Sequence, residues 1–450
     1  MTSRASGVIR ATLATLVILV VLAAALASAP RVLAATRTWD GGGADNNWST
    51  PANWSADTLP VAGDTVTFNA TSTKNATINV PVTVAVFQMN AGYTGTITQS
   101  SSLTLTTSYT QSAGTFVGGG PAIGITGSTT VNSGGTFNGG SSTITLTGAL
   151  TVNAGGSFTG TTGTLTLTGA LTLAAGVFTH NGGTVVFSTS NVTLNLGGAA
   201  TFNNVQFLSG TKTLSAGNTM TVLGTLTLTG GLVNAGTVAA QGTIDAQSGF
   251  GGGTTTLLIN GGGNQTWTGS LGATDSLPIV NINKAGGTLT LTGTFRTTRN
   301  WTFTASGGLS ASGSSIIFAG TQTITGSHTL GAVELAGGTI TIAAGTTLTV
   351  PGSLTLTSGA LNQAGATGTL AAQGNISIAA AFTGGSATLL INGTGAQTWS
   401  GTANSALAPV DTMNVVIIND PLGTLTLTAN LRTTRNWTFT ASGGWSAGRQ

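Results

Sequence analysis

The most regular feature of the chain is a short alternation of apolar and polar residues that recurs along its length. Residues 127–147 read GSTTVNSGGTFNGGSSTITLT and residues 148–168 read GALTVNAGGSFTGTTGTLTLT, and the two lines align without a gap. In TLTLT the leucines alternate with threonines, so one face of an extended chain is apolar and the other carries hydroxyls. Such runs, separated by glycine-rich turns, predict short, half-buried β-strands.

The strand pattern has a fixed period. Phe116, Phe137 and Phe158 are equally spaced, and Phe178 follows one position early. Ile123, Ile144 and Leu165 keep this step, as do Ile125, Leu146 and Leu167, with Phe187 following one position early. This period predicts an all-β parallel β-helix, or β-solenoid, with about 21 residues per coil and an internal phenylalanine ladder. Residues 78–450 would give roughly 18 coils and a rod roughly 85 Å long.

A longer repeat is superimposed on the short one. TTLLINGGGNQTWTG returns as ATLLINGTGAQTWSG, which moves Trp267 to Trp399. FRTTRNWTFTASGG returns as LRTTRNWTFTASGG, which moves Trp301 to Trp437. The longer unit therefore corresponds to about six coils with small insertions.

The first residues differ from the repeats and predict an export signal. Arg4 and Arg10 precede an apolar run at Leu13–Leu26, and Val32–Ala35 offers small residues for cleavage near Ala34 or Ala35. An uncleaved signal anchor is the alternative. The predicted segments are a signal peptide at 1–35, a tryptophan-rich cap or module at 36–77, a solenoid at 78–184 and two long repeats at 185–315 and 316–450.

Composition narrows the possible functions. The chain has 70 glycines in 450 residues, 5% charged residues and no cysteine, which excludes disulfides, thiolate metal sites and cysteine nucleophiles. Loss of Arg4, Arg10 and Arg31 with the signal would leave nine basic and nine acidic residues. Nucleic-acid binding needs clustered positive charge, so no nucleic-acid partner is expected. After the signal, the sequence contains no second apolar run, so no membrane-spanning segment is expected there.

Catalytic residues are sparse in the repeats. Between Asn75 and Ile244 the only charged residue is Lys212 and the only histidine is His180. Glycoside hydrolysis generally needs two positioned carboxylates, and lyases need a base with cationic support. The sequence therefore predicts a non-catalytic protein without a cofactor, and a polysaccharide-active enzyme using acids such as Asp245 or Asp275 is the alternative.

Two polar clusters are candidate binding sites. Asp40, Asp45, Asn46 and Asn47 could supply oxygen ligands to calcium, although Asp and Asn also suit glycine-rich turns. The repeated RTTRNWTF could bind carbohydrate through Arg299, Trp301, Arg435 and Trp437. If each copy is one continuous strand, its Arg and Trp share a face. The alternative is that both tryptophans fill the coil and the arginines lie in turns. His180 and His328 are predicted to be solvated turn residues.

The residues TWDGGGADNNWSTPANWS, then LPVAGDTVTF, then lines such as TLTLTGGLVNAG resemble exported bacterial repeat proteins related to autotransporter passengers and adhesins. The resemblance implies a right-handed parallel β-helix and a secreted or cell-surface role in adhesion or envelope structure, and it supplies no catalytic residues. The expected partner is a surface polysaccharide or the surface of a host or neighbouring cell. Because ASGGWSAGRQ stops where its earlier copy continues into a strand, end-to-end self-association is also expected.

Overall fold

The computed structural model describes residues 34–305, 307–365, 367–401, 414–428, 431 and 435–447. These residues form a parallel β-solenoid of about 17 turns with about 21 residues per turn, which confirms the predicted all-β fold and its period. At about 4.8 Å per coil, the solenoid is roughly 80 Å long. Of the predicted signal peptide, 1–35, only the last two residues are described. No described helix has the length and apolar character needed to cross a bilayer.

Almost all of the regular structure is strand, apart from two short 3-10 helices at Pro51–Asn53 and Ser55–Asp57. Strands β1 to β16 span, in order, Thr36–Thr38, Thr65–Phe68, Ala76–Ile78, Val82–Met89, Thr96–Gln99, Leu103–Gln111, Thr115–Val117, Ile123–Ile125, Ser128–Val131, Thr136–Asn138, Ile144–Leu146, Leu150–Val152, Ser157–Thr159, Thr164–Leu167, Leu171–Leu173 and Phe178–Thr179. Strands β17 to β30 span Thr184–Phe187, Val192–Asn195, Ala199–Phe202, Asn204–Phe207, Thr211–Leu214, Thr219–Val222, Leu226–Leu228, Leu232–Asn234, Thr237–Ala240, Ile244–Ala246, Thr256–Ile259, Gln265–Ser270, Ile279–Ile282 and Thr288–Thr297. Strands β31 to β43 span Trp301–Phe303, Gly308–Phe318, Gln322–Thr325, His328–Thr329, Ala332–Ile342, Thr347–Val350, Leu354–Gln363, Thr369–Ala372, Ile376–Phe382, Thr388–Ile391, Gln397–Gly401, Val415–Leu427 and Trp437–Ala447.

Each strand pairs in parallel with strands of neighbouring coils. One continuous hydrogen-bonded set contains 37 of the described strands, and a second contains six: β3, β5, β7, β10, β13 and β16. In the larger set Ile123 pairs with Ile144, Ile144 with Leu165, and Leu167 with Phe187, as the period predicts. The apolar residue of each pair therefore lies over its equivalent in the next coil, inside the solenoid.

The predicted phenylalanine ladder is present in the six-stranded set. Phe116 pairs with Phe137, and Phe137 with Phe158, with ring centroids 5.1 and 4.6 Å apart and 6° between the planes in both pairs. Phe178 continues the ladder at 6.1 Å from Phe158. Stacked, buried rings of this kind stabilise one register against a slip of the coils.

Asparagine side chains join successive coils at the turns. The Asn132 amide donates to Ser112 Oγ at 3.0 Å, and the Asn153 amide donates to Asn132 Oδ1 at 2.7 Å. At other turns an Asn Oδ1 accepts a backbone N–H of the next coil, for example Asn191 from Thr211 at 2.7 Å. The bonds between side chains tie neighbouring turns together, and the bond to Asn191 satisfies a backbone N–H that the strand ladder leaves unpaired.

The tryptophan-rich segment 36–77 packs on the first coil rather than apart from it. β1 pairs with β2, and β2 pairs with β4, so the segment continues the same parallel set. Trp39 and Trp48 both meet Trp54 edge to face, with centroids 5.1 and 4.5 Å away, and all three are buried beside Phe68. The three rings therefore belong to the same continuous apolar core as the coils that follow.

Candidate functional site

The RTTRNWTF segment is not one continuous strand. β30 ends at Thr297 and β31 begins at Trp301, so Arg299 lies in the turn between them and is exposed. Trp301 is 0% exposed, whereas its repeat equivalent Trp437 is half-buried, and Arg435 is exposed. The shared face that a sugar platform would require is therefore absent from the first copy, because its arginine and tryptophan point to different environments.

Instead, the tryptophans stack on each other in the interior. Trp267 and Trp301 have ring centroids 5.9 Å apart and 3° between planes, and Trp399 and Trp437 repeat this at 5.7 Å and 4°. The indole N–H groups of all four are buried and have no hydrogen-bond partner in the part of the chain described. This arrangement corresponds to the alternative interpretation, in which the tryptophans fill the coil.

In the proposed calcium loop, the Asp45 carboxylate is already hydrogen bonded. It accepts bonds from Thr50 Oγ1 at 2.9 Å, from the N–H and amide of Asn47 at 3.1 and 2.8 Å, and from the Asn53 amide at 3.1 Å. The bonds from Thr50 and Asn47 lower the pKa of Asp45. Asp40 accepts the Gly42 N–H at 3.1 Å, and the Asn46 carbonyl accepts the Thr77 N–H at 2.7 Å. These bonds organise a turn.

A lysine ammonium occupies the oxygen-rich side of that loop. Lys74 Nζ donates to Gly41 O at 3.1 Å, to Gly43 O at 2.5 Å and to Asn53 Oδ1 at 3.3 Å. Among the described residues, no group of three or more His, Cys, Asp or Glu side chains is placed to hold a metal ion. The cation that the structure places in this loop is therefore the chain's own.

The other two lysines repeat the arrangement deeper in the solenoid. Lys212 Nζ donates to Ser188 O and Ser190 O at 2.7 Å each and to Ser209 O at 2.6 Å. Lys284 Nζ donates to two carbonyls and a glutamine oxygen. Both lysines are 1% exposed, and burial lowers the pKa of each. We call this set of two carbonyl oxygens from residues i and i+2 of a turn, with a third oxygen beside them, an oxygen cradle.

Two acids outside the first module are also hydrogen bonded, Asp245 within β26 and Asp275 directly after a turn. Asp245 Oδ2 accepts the Gln247 amide at 2.6 Å, and Asp275 accepts the Gly272 N–H at 2.7 Å. Burial alone raises the pKa of Asp275, but bonds from Gly272, Gly249 and Ser248 and the charge of Arg296 bring it below its ordinary value. An acid held in its ionised form is poorly suited to donate a proton.

His328 contradicts the prediction of a solvated turn residue. It is 7% exposed, pairs with Leu348 in the next coil, and stacks on Phe303 with ring centroids 5.1 Å apart. Burial lowers the pKa of His328 to about 4, although the bond from Nδ1–H to Gly326 O at 2.7 Å favours the charged form. His180, by contrast, is partly exposed at a turn. The residues that flank His328 in the sequence did not indicate that its side chain would be buried.

A recess of about 200 Å³ opens beside Phe178. Its lining is Leu173, Ala174, Gly176, Phe178, Leu196, Ala199, Ala200 and Thr201, which includes no titratable side chain. Ligand pockets usually combine an apolar lining with a few convergent polar groups. The lining of this recess is polar and apolar in about equal parts, and it presents no titratable group to a ligand.

Comparisons of the chain with protein-family models, with curated proteins and with solved structures find no match. The functional assignment therefore rests on the arrangement of the chain's own residues.

Proposed function

We propose that the chain is a non-catalytic, exported β-solenoid that serves as an adhesin-like or envelope-structural element. The observation that carries this proposal is the use of its few charged groups in holding coils together. The three lysines bind backbone oxygens, and among the described residues one ion pair is present, between Arg37 Nε and Asp64 Oδ2 at 3.5 Å. Catalysis would need some of these groups to converge on a solvent-accessible point.

The contacts of Ala35 support export with cleavage of the leader. The Ala35 N–H donates to Asp64 Oδ1 at 2.9 Å, and the Ala35 carbonyl accepts the Thr65 N–H at 2.8 Å. Cleavage after Ala34 would convert this N–H into an ammonium group beside a carboxylate that is 0% exposed. N-terminal sequencing of protein recovered outside the cytoplasm is expected to begin at Ala35 or Thr36, and retention of Met1 would contradict the proposal.

Enzymatic activity is tested by incubating the purified mature chain with acidic and neutral polysaccharides and measuring chain length. We expect no turnover by the wild type or by Asp245→Asn and Asp275→Asn variants. Turnover that persists through purification and disappears in either variant would establish the enzyme instead.

A carbohydrate-binding surface is the second candidate, because Arg299 and Arg435 are both exposed at equivalent turns of the two long repeats. Binding through this surface should fall in the double variant Arg299→Ala/Arg435→Ala, measured on immobilised acidic glycans. Equal binding by the double variant and the wild type would remove this candidate.

A further inference from the structure

The oxygen cradle of Lys284 has a second copy in the next long repeat. Lys284 Nζ donates to Gly261 O at 2.6 Å, to Gly263 O at 2.8 Å and to Gln265 Oε1 at 2.6 Å. The shift that carries Trp267 to Trp399 places Gly393, Gly395 and Gln397 at the corresponding positions. The cradle is therefore duplicated in sequence.

The second cradle keeps the geometry of the first. Gln265 donates its amide to Ala240 O at 3.1 Å and Gly242 O at 2.8 Å, and its Oε1 accepts the Gly261 N–H at 3.0 Å. Gln397 makes the same three bonds, to Ala372 O at 3.3 Å, to Gly374 O at 2.7 Å and from the Gly393 N–H at 3.0 Å. The amide oxygen of Gln397 therefore has the same orientation as that of Gln265, which accepts a hydrogen bond from the Lys284 ammonium.

The lysine, however, is replaced by an acid. NINKAGGTLTL at 281–291 aligns with IINDPLGTLTL at 417–427, so Asp420 stands where Lys284 stood. Asp420 is 2% exposed, its Oδ1 accepts the Gly423 N–H at 2.6 Å, and its Oδ2 is buried without a hydrogen-bond partner among the described residues. A methyl group added at Gly423 would collide with Gly395 O and with both Asp420 carboxylate oxygens. These three oxygens therefore surround one small space.

A buried carboxylate that faces carbonyl oxygens is electrostatically unfavourable unless a positive charge lies between them. We propose that Asp420, Gly393 O, Gly395 O and Gln397 Oε1 form a calcium site that replaces the Lys284 ammonium. The donor set is entirely hard oxygen, with one carboxylate, two backbone carbonyls and one amide, which are the ligands that Ca²⁺ takes. Water molecules complete its usual six to eight ligands.

Charge favours a divalent ion over a monovalent one. Lys284 brings one positive charge to the first cradle, and Ca²⁺ with the Asp420 carboxylate brings the same net charge to the second. A sodium ion with the Asp420 carboxylate would give the second cradle a net charge of zero.

The test is calcium binding by the full mature chain at pH 7, measured by isothermal titration calorimetry and equilibrium dialysis. Relative to the wild type, Asp420→Lys should lose one bound calcium per chain, because a lysine there supplies its own charge. The control Asp57→Asn removes an exposed acid and should bind as the wild type does. The reciprocal variant Lys284→Asp should gain one calcium per chain.

Hydrogen exchange provides a readout that depends on no variant. At a calcium concentration 100 times the dissociation constant, exchange of the wild type in 414–428 should slow by about 100-fold, with no change around Phe137. The proposal is overturned if Asp420→Lys binds as much calcium as the wild type, or if calcium does not change the rate of exchange in 414–428. Equal slowing by sodium alone would overturn the calcium assignment.

Discussion

The indole rings of Trp267 and Trp301 lie parallel, with centroids 5.9 Å apart, and neither side chain is exposed. They come from different parts of the long repeat, one from QTWTG and the other from RTTRNWTF. Because Trp399 and Trp437 reproduce the pair at 5.7 Å, duplication copied a packing contact as well as a sequence. The two copies can therefore be compared by mutation as matched sites.

Truncation of the Trp301 side chain should destabilise the coil that contains it. Trp301→Ala leaves a cavity beside Trp267, with an expected cost of about 3–5 kcal/mol in local stability. Hydrogen exchange of 279–303 should accelerate, whereas exchange of 136–158 should not change, since coils in a solenoid interact mainly with their neighbours. Arg299→Ala, in the adjacent turn, is the control and should be nearly neutral. Unchanged exchange in Trp301→Ala would show that the stack contributes little.

The sequence predicted the ladders but not the orientation of the tryptophans. The fixed period along the chain determines which residues stack, and Phe116 to Phe178 do so. Orientation along RTTRNWTF depended on whether the strand continued, and the break between Thr297 and Trp301 separates the arginine from the tryptophan. The alternation of apolar and polar residues does not indicate where a strand is interrupted in this way.

The oxygen cradles could not be predicted from the sequence for a different reason. Their ligands are mainly backbone carbonyls, which every residue carries, and the Lys284 ammonium reaches two of them, Gly261 O and Gly263 O, in the preceding coil. A buried lysine in a chain of threonines and glycines also gives no local signal. Only the replacement of Lys284 by Asp420 between the two long repeats is visible in the sequence, and its meaning depends on the contacts of the first copy.

Two neighbouring glycines should respond differently to alanine. A Cβ at Gly127 would overlap the carbonyl oxygen of Thr107, whereas a Cβ at Gly124, inside β8, would meet nothing within 4 Å. Gly127→Ala should therefore destabilise the coil by about 2 kcal/mol or more through a backbone shift. Gly124→Ala should be neutral or stabilising by about 0.5 kcal/mol, because alanine restricts the unfolded chain. Urea unfolding of the two variants beside the wild type checks both; equal midpoints would contradict the steric argument.

Acidification should weaken the coil that holds His328. Its pKa is about 4 in the folded chain and about 6.5 when unfolded, so the unfolded state binds more protons between these values. Stability is therefore fully present above pH 6.5 and falls by up to ~3 kcal/mol as the pH drops through 4. His328→Leu should flatten this part of the pH profile, measured by urea unfolding or by exchange in 322–350. His180→Gln is the control and should keep the dependence; a profile for His328→Leu that matches the wild type would refute the assignment.

Replacement of Lys212 by methionine measures what an oxygen cradle contributes. Methionine nearly matches the lysine stem but leaves the carbonyl oxygens of Ser188, Ser190 and Ser209 without the ammonium. Loss of bonds to a charged donor costs roughly 1.5–3 kcal/mol each, against which the chain recovers the cost of burying the ammonium, so we expect a net loss of about 2 kcal/mol. Exchange of 204–214 should accelerate accordingly. Thr193→Val, an exposed change on the neighbouring coil, should stay within about 0.5 kcal/mol of the wild type. If Lys212→Met is instead more stable than the wild type, burial of the ammonium costs more than its three bonds contribute.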